Sequence, residues 1–220
     1  SGGVQLLGIS YGGSFALIAA GDERIAADIR QVATFGAYFD LVGVIQAVTT
    51  GSSLVDGKRL AWEAHPRAKE VLENVAVRLA SEDSREELRS ALDGEGDGVG
   101  LRGGTRPLFR LLRNDDPART FELAGELPED MRTILRRFSP SSVASRIEVP
   151  VAAMHSTDDP AVPYGELLRL MRAMPATRSV TVSLFRHVDF TLDSPGDILR
   201  LAADAVSTWR FSSWFLSPQG

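Results

Sequence analysis

Three residues far apart in the chain, Ser10, Asp159 and His187, have the types that nucleophilic catalysis needs. A serine hydroxyl is a poor nucleophile at neutral pH, so it requires a base within hydrogen-bond reach and a third group to orient that base. Ser10 lies in Gly8-Ile9-Ser10-Tyr11-Gly12, a G-x-S-x-G pattern. In such a turn the serine takes a strained backbone conformation, and the flanking glycines, Gly8 and Gly12, let a strand and the next helix approach with no side chain between them. The hydroxyl then stands beside the first N–H groups of the helix, where a developing oxyanion is favoured. Asp159 follows an apolar run in His155-Ser156-Thr157-Asp158-Asp159-Pro160, and His187 follows an alternating one in Phe185-Arg186-His187-Val188-Asp189. Asp40, at the end of another strand-like run, is the alternative acid, since a strand-end carboxylate there can reach the same histidine in principle.

The elements that must position these residues can be read from periodicity. Val4 to Ile9 is too short and apolar for a helix and reads as a strand, and the small-residue segment to Ala20 reads as the helix after the turn. Gln31 to Phe39 reads as a second buried strand ending at Asp40. From Leu41 to about Arg146 the pattern is helical and loop-like, with no convincing strand. Within it, Pro66 starts a helix bearing Val71, Leu72, Val75 and Leu79, and Ser84 with Glu87 forms a capping box ahead of Leu88 and Leu92. Asp93 to Gly104 holds six glycines in twelve residues and reads as a loop. Another helix begins at Pro128, with Leu127, Met131, Ile134, Leu135 and Phe138 on one face and Arg132, Arg136 and Arg137 largely on the other.

Strand character resumes at Val149 to Met154, and a helix follows over Tyr164 to Met174. Val180, Val182 and Leu184 alternate with polar or outward positions, the period of a strand. Ser194 caps a last helix whose expected buried stripe is Ile198, Leu199, Leu201, Ala202, Ala205, Val206 and Trp209. Strands separated by helices imply an α/β fold with a parallel sheet, about four strands here, flanked by helices and carrying a large helical insertion. Reactive groups then gather beyond the strands' C-terminal ends.

Composition narrows the function classes. With 220 residues, 44% hydrophobic and 24% charged, the chain reads as an ordinary globular protein. A net charge of −5 with no basic stripe argues against nucleic acid as a partner. The absence of cysteine removes disulfides, thiolate nucleophiles and thiolate metal sites, and leaves the compartment unread. No apolar run approaches the roughly 18 residues of a membrane span. No His/Asp/Glu cluster has metal-ligand spacing and no phosphate loop is present, so neither a metal nor a cofactor is expected. Of the other histidines, His155 reads as a structural hydrogen-bonder and His65 as a surface residue; Asp158 and Asp189 read as loop or capping carboxylates.

The elbow GISYGG, the segment HSTDDPAVP and the histidine after the next strand resemble the α/β-hydrolase fold. Asp159-Pro160-Ala161-Val162-Pro163 matches that family's D-x-x-V-P acid loop, which favours Asp159 over Asp158 and Asp40. The resemblance covers Val4 to Asp40 and Pro150 to Trp209, about half of the chain. It implies a discontinuous hydrolase core over 1–40 and 147–220, and a helical cap or lid over 41–146 whose apolar residues, among them Trp62, Leu108, Phe109, Leu111, Leu112 and Phe138, are expected mostly to pack the cap itself. It also implies a serine hydrolase of esterase type acting on small carboxylic esters: Ser10 as nucleophile, His187 as base, Asp159 as the orienting acid, and the Tyr11 backbone N–H as an oxyanion donor. Acyl transfer and amide cleavage use the same triad. The family sheet normally has eight strands with the elbow on the fifth, and a second oxyanion donor comes from the loop after the third. No counterpart of that half is present, so the expected partner is the missing N-terminal half of a longer hydrolase, and the alternative is a non-catalytic, incomplete fragment serving as an interaction module.

Overall fold

The computed structural model describes residues 3–94, 98, 100–183, 185–186, 189–190 and 197–217. They divide into two compact units, Ser1–Asp40 with Arg137–Gly220, and Leu41–Arg136.

The first unit is built on a four-stranded sheet of β1 (Val4–Ile9), β2 (Ile29–Phe35), β5 (Val151–Ser156) and β6 (Arg178–Val182), in the order β1-β2-β5-β6. Every pairing in it is parallel, with Ile9 opposite Phe35, Phe35 opposite Met154 and Ser156 opposite Val182. β2 and β5 are central and buried along nearly their whole length, so apolar residues fall on both of their faces. β1 is an edge strand, and Val4, Leu7 and Ile9 on it are each about half exposed. β2 starts two residues earlier than its apolar pattern suggests and stops at Phe35, because Gly36 takes a φ of 61° and turns the chain out of the sheet.

Alternation along the strands sorts the core into two layers. Val32, Val151 and Ala153 pack with Leu17 of α1 (Tyr11–Ala20) and with Leu167 and Leu170 of α8 (Gly165–Ala173). Their neighbours Ala33, Ala152 and Met154 pack with Phe211 of α9 (Asp197–Leu216). α1 and α8 are crossovers between adjacent parallel strands, and a right-handed crossover fixes their common face. α9 covers the other face.

On α9 the buried side differs from the stripe expected from the sequence. Val206 and Trp209 are 52% and 68% exposed and Ala202 and Ala205 are also exposed, whereas Asp204 and Phe211 are buried. Phe211, Trp214 and Phe215 supply the apolar contacts to the sheet, so the bulky residues of the last two turns, rather than the alanines, set the helix rotation. The side chains of Ile198 and Leu199 and the expected Ser194 cap lie outside what the structure describes.

The second unit contains α2 (Leu41–Thr50), a hairpin of β3 (Ser52–Val55) and β4 (Lys58–Ala61), and the helices α3 (Ala68–Leu79), α4 (Arg85–Asp93), α5 (Thr105–Leu112), α6 (Thr120–Gly125) and α7 (Glu129–Arg137), the last ending one residue beyond the unit. Its core joins Ile45, Leu88, Leu92, Leu108, Phe109, Leu111, Leu112, Leu123 and Met131. The hairpin corrects the expectation that this stretch holds no strand. Asp56 and Gly57, both at positive φ, make its turn, and an Asp-Gly pair is the sequence signal for a two-residue hairpin loop. The capping box also fails. Ser84 has helical φ and ψ, with no side-chain cap hydrogen bond, because a turn of 3₁₀-helix over Glu82–Ser84 runs directly into α4. α3 begins at Ala68 rather than Pro66, and Val71, Val75 and Leu79 on it are 42% or more exposed.

Candidate active site

β1 delivers Ser10 into the turn before α1 with φ 54° and ψ −129°. A non-glycine residue at positive φ costs about 1–3 kcal/mol and persists only where its surroundings fix it. Here they do: the Ser10 N–H donates to Phe35 O at 2.8 Å, continuing the sheet ladder, while Ser10 O accepts the Gly13 N–H at 2.9 Å and starts the helix. The turn is tight enough that a Cβ on Gly8 would fall 2.3 Å from the Gly12 carbonyl oxygen. At Gly12 itself a Cβ would meet nothing within 4 Å. The close approach expected there is made by Gly13, where a Cβ would lie 2.9 Å from the Ala37 Cβ. Ser10 is half-buried and Tyr11 is exposed. Tyr11 is the first residue of α1, so its N–H has no acceptor within the helix.

The loop after β2 packs against this turn. Ser14 Oγ, in α1, donates to Tyr38 O at 2.8 Å, and the Tyr38 hydroxyl donates to Phe138 O at 2.8 Å. The Tyr11 and Tyr38 rings meet edge to face at 5.8 Å, and burial pushes the Tyr38 phenol up to about 12. Asp40, at the end of this loop, accepts the Ser141 hydroxyl on Oδ2 at 2.7 Å.

Asp159 stands in the loop after β5, fully buried. Its Oδ1 accepts the N–H groups of Ala161 and Val162 at 2.8 and 3.0 Å, so the loop folds back on its own carboxylate. His155, also buried, places Nε2 3.0 Å from Val162 O and 3.9 Å from Asp159 Oδ2; it braces the acid loop, the structural part expected of it. Ser10 and Asp159 both follow the C-terminal ends of parallel strands, with β2 between them. His187 lies outside the described residues. Among the described residues no group of three or more His, Cys, Asp or Glu is placed to hold a metal ion, and no helix is long and apolar enough to cross a membrane.

One participant had no sequence signal beyond an acidic residue in a first helical turn. Glu166 of α8 is completely buried, and its Oε2 accepts the N–H groups of Phe39 and Asp40 at 3.0 and 2.7 Å. Arg169 Nε lies 3.2 Å from Oε1. Burial pushes this carboxyl up to about 7, against the opposing pull of the Asp40 and Phe39 N–H groups and of Arg169.

No protein-family model and no curated protein matches the sequence. Solved structures do. The chain is similar to the esterase domain of a Rhodothermus marinus protein at 14% identity and a TM-score of 0.39, covering 94% of this chain and 59% of that one. It is similar to an enol-lactonase from Burkholderia xenovorans at 19% identity and a TM-score of 0.40, covering 96% and 66%. A meta-cleavage product hydrolase from Pseudomonas fluorescens matches at 15% identity and a TM-score of 0.40, covering 96% and 65%. The chain thus spans 59% to 66% of the length of these three structures. These neighbours are members of the α/β-hydrolase fold. The described residues themselves form an α/β fold, four parallel strands flanked by helices.

Proposed function

We propose that this chain carries the reacting groups of a serine hydrolase that cleaves carboxylic esters through an acyl-enzyme. Ser10 Oγ attacks the ester carbonyl, and His187 takes the serine proton and returns it to the leaving alcohol. Asp159 orients the imidazole, and the Tyr11 N–H donates to the oxyanion. Water then attacks the acyl group with His187 as base, which restores Ser10. Each step uses side chains and backbone alone. In this reading residues 1–40 and 147–220 are the hydrolase core and 41–146 a helical insertion.

The observation that carries the proposal is the backbone of Ser10, a serine at φ 54° on a strand-to-helix turn with Gly8 pressed against the helix start. The buried Asp159 supports it. β1 and β5 are two strand spacings apart, about 10 Å along the sheet, a span that an imidazole between the two side chains bridges. The test is turnover of short p-nitrophenyl esters by the full-length protein. Ser10→Ala is expected to reduce kcat by about 10⁶; undiminished turnover refutes the assignment.

A second reading, a hydrolase scaffold used as an interaction module, is favoured by the edge strand β1 with its half-exposed Val4, Leu7 and Ile9, which suits pairing with further polypeptide such as the N-terminal half of a longer hydrolase. Covalent labelling of Ser10 by a fluorophosphonate probe would exclude a purely non-catalytic role.

A further inference from the structure

A buried carboxylate that no catalytic step uses needs a reason, since taking a carboxyl out of water is costly unless partners compensate. Glu166 is completely buried, and its Oε2 receives the backbone N–H groups of two successive residues, Phe39 and Asp40. The segment it grips is held from several sides. The Ser141 N–H donates to Phe39 O at 3.0 Å, the Ser141 hydroxyl to Asp40 Oδ2 at 2.7 Å, and the Tyr38 hydroxyl to Phe138 O. On its own side Glu166 belongs to the turn that ends the acid loop: its N–H donates to Pro163 O at 2.9 Å, and the Leu167 N–H to Tyr164 O at 3.1 Å. Pro163 directly follows Val162, whose N–H is bound by Asp159 Oδ1 and whose carbonyl faces His155 Nε2. An unbroken series of short contacts therefore runs from the loop after β2, through Glu166, to the carboxylate of Asp159.

We propose that Glu166 is a positioning residue for the hydrolase site: by clasping the Phe39 and Asp40 N–H groups it pins the first turn of α8 to the loop after β2, and so fixes where the Asp159 loop presents its carboxylate. The proposal rests on the serine-hydrolase reading for its effect on turnover, but the mechanical coupling between the two loops stands apart from any activity. Reach rather than charge is what the clasp requires, because the two N–H groups need only an acceptor oxygen at the end of a four-atom side chain.

Three variants separate these elements. Glu166→Gln keeps the reach and an acceptor, Glu166→Asp keeps the carboxyl group but withdraws it by one methylene, and Glu166→Ala removes both. Amide hydrogen exchange read at Phe39, Asp40, Ala161 and Val162 measures the coupling, and ester hydrolysis measures its consequence. Faster exchange is expected at all four amides in Glu166→Ala and Glu166→Asp, with kcat lowered about 10- to 100-fold and KM little changed. Glu166→Gln is expected to restore protection at the four amides and kcat to within about threefold of the parent. If the alanine variant fails to fold, the aspartate and glutamine variants carry the comparison. Exchange that rises at Phe39 and Asp40 while Ala161 and Val162 stay protected overturns the proposal, as does a glutamine variant no better than the aspartate one. A parent protein that shows the coupled exchange but hydrolyses no ester contradicts the hydrolase reading while leaving the coupling intact.

Discussion

Asp40 and Asp159 follow neighbouring strands of one parallel sheet, yet they are held in different ways. Asp40 is half-buried, and its partners are distant in sequence: Ser141 gives its hydroxyl to the side chain, and Glu166 receives the backbone N–H. It ties separate segments together. Asp159 is fully buried, and its Oδ1 is fixed by two N–H groups of its own loop, which His155 braces through Val162. A carboxylate bound by the backbone of its own loop is fixed relative to that loop, which suits the orienting part proposed for it. A carboxylate that links segments suits the stability of the fold.

Neutralising each acid in turn separates their parts. Asp159→Asn is expected to lower kcat for ester hydrolysis by about 10⁴, the loss that follows when an orienting carboxylate becomes an amide. Asp40→Asn retains an acceptor for the Ser141 hydroxyl and should leave kcat within about tenfold. The reverse ranking in steady-state kinetics moves the acid to Asp40.

The next effect lies in the clasp that holds the Asp40 segment. Glu166 is raised from 4.5 to about 7, so between those values the native protein keeps a proton that the unfolded chain has released. Stability contributed by this group is greatest below pH 4.5 and falls as pH rises through about 7. At 1.36 kcal/mol per unit the fall is about 3 kcal/mol. The groups facing Glu166 are Arg169 from its own helix and Asp40 from the loop it grips. Urea unfolding at a series of pH values reads this slope, and Glu166→Gln should flatten it over that window; an unchanged slope in the variant assigns the proton elsewhere.

The smallest effect is at Ser141. Ser141→Ala removes one half-buried hydrogen bond to Asp40 and should cost about 1 kcal/mol in urea unfolding with kcat unchanged. A loss of turnover there would mean that the Asp40 side chain, and not only the backbone N–H that Glu166 grips, helps to position the reacting groups.

Much of the fold is legible in the sequence because the strands of the parallel sheet stand out as short apolar runs between helical stretches. β1, β2, β5 and β6 lie where those runs lie, within two residues except that β2 stops four residues short at Phe35, where Gly36 turns the chain out of the sheet. Less was readable where the signal is short or depends on contacts between distant segments. The β3–β4 hairpin has four residues in each strand and announced itself only by Asp56-Gly57. The rotation of α9 is not legible, because small alanines and an exposed Trp209 mimic a buried stripe while Phe211, Trp214 and Phe215 meet the sheet. Within the candidate site, the turn around Ser10 is encoded locally and was visible in five residues, except that Gly13 takes the packing part given to Gly12. Glu166 was invisible: its partners are residues 39 and 40, more than a hundred positions away, and nothing in its own helix distinguishes it from an acidic residue placed to suit the helix dipole.

Acylation of Ser10 is the step on which the proposed hydrolysis turns. The direct measurement is acid quench of the full-length protein during turnover of a p-nitrophenyl ester, followed by proteolysis and mass spectrometry of the peptide that contains residue 10. The expected result is the acyl mass on Ser10 in the parent and its loss in His187→Ala. Turnover with no acyl group at Ser10, or an equal acyl yield in His187→Ala, would contradict it.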